Sequence, residues 1–335
     1  MAQQHPFEYL EPVPRGSKGG PVDPHHLVYS RRWVAGAAAF GLASAGGLVG
    51  LRPAARRRWA LRWLAGLAGA GLGLGLAGLA GIWRLLVERH TLRLPGWPAA
   101  LDGLRVAHLS DLHFGPGYTR HVLRRALAEV GDFRPDLIVL TGDFADTPED
   151  LPRLREMLAG LDAPLGVYAC LGNHDYWDDP AEVAGILHGL GFTVLVNHHR
   201  VLSWRGEPFV LAGVADPWQS DADLAAALDG APDGLPVLLM AHGPDFFATA
   251  ADHPVALQFS GHAHAGHINL PILGPLVLPR WGVEYPNGVF QLGRSVAYVS
   301  RGLGGLPFRL GAAPEVGLLT LAAGGDELSR RPSPR

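Results

Sequence analysis

The chain has 335 residues, 48% of them apolar, which is enough for one large core or two ordinary ones. Its charge is uneven: residues 1–94 hold 12 Lys/Arg against 4 Asp/Glu, and residues 95–335 hold 16 against 27, so a segment at +8 precedes one at −11. An acidic domain is repelled by nucleic-acid backbone, so no nucleic-acid partner is expected, and a single cysteine, Cys170, excludes an intrachain disulfide or a thiolate metal cage.

Residues 1–30 are rich in Pro, Gly and His without apolar periodicity and read as a disordered polar terminus. Two uncharged stretches follow, 33–51 and 64–83, each long enough as a helix to cross the roughly 30 Å core of a bilayer. Together with a short linker they make residues 31–94 a membrane anchor of one or two spans. Arg52, Arg56, Arg57, Arg58 and Arg62 lie between the stretches, and the positive-inside rule keeps such a cluster cytoplasmic. The remainder of the chain is then expected outside, with the cytoplasmic face as the alternative. The Arg31-Arg32 pair before the first stretch also fits a twin-arginine export signal.

From residue 95 the pattern changes to short apolar runs that end in polar residues. Strands are expected at 104–110, 137–141 and 167–171, with helices at 120–130, 148–161 and 180–190. This β-α-β-α-β order implies right-handed crossovers and a sheet that begins parallel. Shorter strands are expected at 194–196, 209–214, 237–240 and 256–260. Residues 289–292 and 295–300 suit a hairpin around Gly293. The domain that these elements build is thus placed at 95–323, with a disordered tail at 324–335.

Metal-binding residue types collect where these strands end, at Asp111, His113, Asp143, Asn173, His174, His242, His262 and His264. In open α/β sheets ligands bind beyond the carboxyl ends of strands. Asp-x-His and His-x-His place both side chains on one side if the strand stays extended. Imidazole with carboxylate suits Mn, Fe, Zn, Ni or Co better than Ca or Mg. Each motif alone is weak, since Gly142-Asp143 suits a turn and sixteen histidines supply chance pairs. Five such elements in one order, each after an apolar strand, are a strong signal.

Asp-Leu-His, Gly-Asp-Phe-Ala-Asp, Gly-Asn-His-Asp, the lone His242 and Gly-His-Ala-His resemble the calcineurin-like metallophosphoesterases, motif for motif, over residues 101–321. Flanking segments are similar to the family's membrane-anchored bacterial branch, which includes proteins similar to UDP-2,3-diacylglucosamine pyrophosphatases. The resemblance implies an α/β fold, a four-layer αββα sandwich preceded here by one or two transmembrane helices. It implies two divalent metal ions, the first held by Asp111, His113, Asp143 and His264, the second by Asp143, Asn173, His242 and His262, with Asp143 as bridge. It makes His174 the residue that stabilises or protonates the leaving group and Asp146 the residue that orients His174. His267, where the branch usually has Gln, and Arg301 are candidate substrate contacts. Gly243 follows His242 where Asn is frequent.

The implied reaction is attack of a metal-bridging hydroxide on a phosphodiester or pyrophosphate bond. The expected partners are a phosphorylated small-molecule or lipid substrate and the bilayer. A catalytically silent binding module at the membrane is the alternative, but that reading needs a lost ligand or a lost His174, and all are present.

Overall fold

Strands whose side chains are apolar on both faces must be covered on both faces, and that requirement sets the architecture. A computed structural model describes residues 27–29, 53–115 and 117–324. The first sheet contains β2 (Leu86–Pro95), β3 (Arg105–Leu109), β4 (Leu137–Thr141), β5 (Val167–Cys170), β6 (Thr193–Val194) and β16 (Glu315–Gly324), in the order β2-β16-β3-β4-β5-β6. The second contains β7 (His198–Trp204), β8 (Glu207–Gly213), β9 (Val237–Met240), β10 (Val255–Ser260), β14 (Gly288–Leu292) and β15 (Ser295–Val299), in the order β14-β15-β10-β9-β8-β7.

Period-two alternation then divides the apolar side chains among three cores. Val106, Leu137, Val139, Tyr168 and Cys170 of the first sheet meet Phe209, Leu211, Leu238, Met240 and Phe259 of the second. Their sequence neighbours Ala107, Leu109, Ile138, Leu140 and Ala169 face the other way. They pack under α2 (Gly117–Phe133), α3 (Leu151–Leu158) and α5 (Pro180–Gly189), through Val122, Ala126, Leu154, Leu158 and Val183. Val210, Ala212, Val237 and Leu239 pack outward against α6 (Leu224–Leu228) and α7 (Phe247–Ala250). The result is the expected α-β-β-α sandwich. Between the sheets Cys170 is fully buried.

Several expected bounds hold to the residue, notably 137–141 and 237–240. The hairpin forms as β14 and β15, antiparallel, with Gly293 at φ +56°. Strands β7 and β16 were not expected. The largest correction concerns the supposed linker. Residues 86–95 form β2, which pairs in parallel with β16 over ten residues and buries Leu92 and Leu94 in the inter-sheet core. The first sheet therefore includes residues before 95.

Among the described residues one helix, α1 (Pro53–Gly81), precedes this sheet, with Pro at its first position, where the missing N–H costs nothing. The part Leu61–Gly81 is long and apolar enough to cross a membrane, and only 6% of its most apolar window is buried. Arg56, Arg57, Arg58 and Arg62 lie on this helix rather than in a loop between two spans. The expected span at 33–51, most of the polar terminus and nearly all of the tail lie outside the described residues. Within the terminus, β1 (Leu27–Tyr29) pairs antiparallel with β13 (Val277–Pro279).

A soluble domain that keeps Arg84 should fold, whereas one starting at Pro95 loses three buried leucines, Leu85, Leu92 and Leu94, worth about 1.5–3 kcal/mol each, and bares the edge of β16. Thermal melts of the two fragments should differ by at least about 10 °C. Equal melting temperatures would show that β2 is dispensable.

Candidate metal centre

The loops after β3, β4, β5, β9 and β10 converge at one end of the sandwich and carry every expected ligand. The structure reaches that convergence by a route other than strand alternation. β3 ends at Leu109, two residues before Asp111, and the ligands sit on tight turns with left-handed backbone. Asp111, His113, Asp143, His262 and His264 have φ of +50°, +38°, +56°, +67° and +49°. Non-glycine residues adopt this region rarely, and such strain concentrates at functional sites. Gly261 is required by close approach, since a Cβ there would collide with Ser110 and with the Asp111 carboxylate. That carboxylate accepts the His262 amide at 2.9 and 3.0 Å from its two oxygens.

Hydrogen bonds fix which ring nitrogens carry lone pairs. His242 Nδ1 lies 2.6 Å from the Thr141 carbonyl and His262 Nε2 lies 2.6 Å from the Arg280 carbonyl. A carbonyl only accepts, so both nitrogens donate and the opposite nitrogens face inward. His242 Nε2 then lies 3.2 Å from each of Asn173 Oδ1, Asp143 Oδ2 and His262 Nδ1. Acceptor atoms crowd one point, and only a proton or a cation relieves them. Beside them, His113 Nδ1 lies 2.7 Å from Asp146 Oδ1, which turns its Nε2 inward, buried, without a hydrogen-bond partner and 3.4 Å from Asp143 Oδ2. Asp143 thus lies between two groups, Asp143-His242-His262 on one side and Asp111-His113-His264 on the other.

The electrostatics agree with a cation site. Burial opposes charge on His113, but the Asp143 and Asp146 carboxylates outweigh it and lift its pKa to about 10. Burial likewise opposes charge on His242, and Asp143 holds its pKa well above the usual imidazole value. The field therefore favours positive charge beside Asp143. Burial pushes the pKa of His262 down to about 3, so that ring is neutral, as an imidazole ligand must be, and burial also lowers that of His174, to about 4. The donor set fits divalent transition ions on these grounds. His264 fits less simply. The Arg309 guanidinium donates to its Nδ1 at 2.9 Å, leaving the ring hydrogen on Nε2, which faces Asp111 Oδ1 at 3.3 Å. Ligation through that Nε2 requires the Arg309 contact to yield.

Three further expected residues make other contacts. Asp146, expected to orient His174, lies in one group with His113 and His174, and its carboxylate bonds His113 Nδ1, which fixes that ring's tautomer. Arg301 is held by two carboxylates, Glu88 at 3.0 Å and Glu315 at 3.1 Å, and ties β2 to β16 rather than pointing a free cation at a substrate. His267 joins no ligand group and stacks on His264 with ring centroids 4.6 Å apart. His174 lies at the edge of the site, its amide on Asp143 Oδ1 at 2.9 Å and its ring 4.6 Å from that of His113.

Two buried residues with no assigned part also build the site. Asp175 accepts from the amides of Asp143, Phe144 and Gly172 at 2.9, 2.9 and 2.8 Å, locking the β4 loop to the β5 loop. Its place three residues after Gly172, as in a capping box, is a readable signal. Arg309 bonds the carbonyls of His264, Arg301, Ala312 and Gly304 as well as the His264 ring. Nothing in its Gly- and Pro-rich surroundings announces it.

The family described as calcineurin-like phosphoesterase matches residues 104–266. Uncharacterized metallophosphoesterase YkuE of Bacillus subtilis is 34% identical over 268 residues, 77% of this chain and 92% of its own length. UDP-2,3-diacylglucosamine pyrophosphatase LpxG of Chlamydia trachomatis is 29% identical over 297 residues, 70% of this chain and 88% of its own. Phosphodiesterase YaeI of Escherichia coli is 30% identical over 223 residues, 65% of this chain and 82% of its own.

Asp175→Ala leaves three buried amides without an acceptor, at about 1–3 kcal/mol each. Its melting temperature should drop by roughly 6–12 °C or more, with Asp175→Asn between it and the parent. An unchanged melt for the alanine variant would remove Asp175 from the framework of the site.

Proposed function

This chain belongs to the calcineurin-like phosphoesterases, and from that premise we propose that it hydrolyses a phosphodiester or pyrophosphate bond of an amphiphilic substrate at a membrane surface, using two divalent ions that share Asp143. The observation that carries the two-ion reading is the inward crowding of acceptor atoms on both sides of one buried carboxylate. Asp111, His113, Asp143 and His264 would hold one ion, and Asp143, Asn173, His242 and His262 the other. Ions held there supply Lewis acidity and a nucleophile at neutral pH.

The protein's own groups then do the positioning. Asp146 and the Thr141 and Arg280 carbonyls hold three imidazoles in the ligating tautomer. His174, half-buried at the rim, offers its ring to the leaving oxygen, either donating a hydrogen bond or delivering a proton. Trp177, with its ring centroid 4.2 Å from that of His174, and Trp218, 5.6 Å from His262, place two large aromatic rings beside the site. The pyrophosphatase and phosphodiesterase relatives support the bond class. A nucleotide-linked lipid is the named substrate candidate because one relative is a UDP-diacylglucosamine pyrophosphatase.

Metal analysis and kinetics on paired variants test this reading. Asp143→Asn should lose metal and activity together. His174→Ala should keep its metal and lose roughly 10²–10⁴-fold in rate, less on substrates with good leaving groups. Full metal content and near-normal rate in Asp143→Asn would refute the shared-carboxylate map. Equal losses for His174→Ala on good and poor leaving groups would assign His174 to charge stabilisation.

The arginines at the start of α1 support a cytoplasmic N-terminal end for that helix and a catalytic domain outside. A periplasm-active reporter fused after Arg335 should therefore be functional. A fusion active only in the cytoplasm would place the domain inside, beside a cytosolic nucleotide-lipid pool.

A further inference from the structure

The anchor helix leaves the sandwich at the end that carries the metal ligands. β2 starts at Leu86 opposite Glu315, and on the other side of β16 Gly317 pairs with His108, three residues before Asp111. Two strand spacings, about 10 Å, separate the start of β2 from that ligand-bearing end. α1 is also seated on it. The Arg309 amide donates to the Gly78 carbonyl at 2.9 Å, and a Cβ at Gly78 or Gly81 would collide with the Phe308 ring or the Arg309 carbonyl. Small residues thus let this loop press on the helix, and the same Arg309 reaches His264 through its guanidinium. Trp83, just past the helix, is half-exposed and packs edge-on against Tyr118 and His121.

Beside this seat the surface is apolar where a water-facing loop would be polar. Ile272 is 94% exposed at the tip of the hairpin between β11 (Asn269–Leu270) and β12 (Gly274–Pro275). That hairpin is bonded to the same loop, the Asn269 amide to the Leu310 carbonyl at 2.8 Å. Leu306, two residues before Phe308, is 61% exposed. Aliphatic tips flanking the end of an apolar helix, with a tryptophan at the junction, are the composition of a surface that enters the interfacial layer of a bilayer.

We propose that the domain rests on the bilayer through Ile272, Leu306 and Trp83, with the metal cleft held against the lipid headgroups, rather than hanging free from α1. The proposal rests on α1 spanning the membrane, and it explains how a lipid-borne phosphate reaches the site without leaving the bilayer.

Single cysteines at Ile272, Leu306, Leu72 and Arg205, spin-labelled in the full chain, test it in phosphatidylethanolamine/phosphatidylglycerol nanodiscs. Cys170 is fully buried and stays unlabelled in the folded protein. Leu72 lies mid-helix, and Arg205 lies in the β7–β8 turn at the opposite end of the sandwich. Labels at Ile272 and Leu306 should favour oxygen over a water-soluble nickel chelate, at a shallower depth than Leu72, while Arg205 favours the chelate. Chelate access at Ile272 and Leu306 equal to that at Arg205, with Leu72 deep, overturns the docking and leaves the membrane anchor standing. Protection from both reagents means that a protein covers this face, and overturns it too. Chelate access at Leu72 overturns the anchor and the proposal together. Ile272→Asp should cleave a soluble chromogenic diester at the parental rate and a vesicle-borne phosphodiester roughly 10-fold more slowly. An unchanged vesicle rate refutes the docking, whereas no hydrolysis of vesicle substrate by the parent protein refutes the lipid reading instead.

Discussion

A carboxylate buried among imidazoles is the constraint around which this protein is organised. Asp143 is almost solvent-free, and isolated in such a place its charge would be very costly. It is tolerated because His113 and His242 flank one oxygen while the His174 amide takes the other. Each of those groups is fixed by a different loop, so the charge draws the ends of several strands to one point. The left-handed turns at five candidate ligands follow from the same demand, because extended backbone would carry the side chains past the point of convergence. Strain at these turns is offset elsewhere, by Asp175 beneath the β4 and β5 loops and Arg309 beneath the β10 loop.

How much of this was readable follows from where burial is symmetrical. Residues 137–141 and 237–240 are covered on both faces, and their unbroken apolar runs give their bounds away. Edge strands carry no such run. Residues 86–95 read Leu-Val-Glu-Arg-His-Thr-Leu-Arg-Leu-Pro, in which Arg89 and Arg93 on one face, and Glu88 and His90 beside the leucines on the other, mask Leu92 and Leu94, so the segment passes for a linker. The candidate ligand set stood out in the sequence because its residue types are few and each follows an apolar run, and the fold brings those residues to one end of the sandwich. Their backbone conformation was not legible, since Asp and His carry the positive φ where glycine would have signalled it. Arg309 was invisible for a related reason. Its partners are carbonyls and one ring brought together only by the completed fold.

The two supporting residues differ in kind. Asp175 locks loops by accepting three amides, a role that depends on local spacing and therefore recurs wherever the motif does. Arg309 connects things that are distant in the chain, since its backbone touches α1 and its guanidinium touches a candidate ligand. The end of the helix and His264 are thus joined through a single residue, with no long relay of side chains between them.

The position of β16 has a consequence for how the protein is made. This strand lies between β2 and β3, yet β3 ends at Leu109 and β16 begins at Glu315. A ribosome adding roughly 5–20 residues per second takes roughly 10–40 s to cover that interval. Throughout it, β2 and β3 have emerged with their shared neighbour still unsynthesised, so each presents an open hydrogen-bonding edge. The first sheet is completed only by the last of the described strands, and until then those edges are open to pairing with other chains.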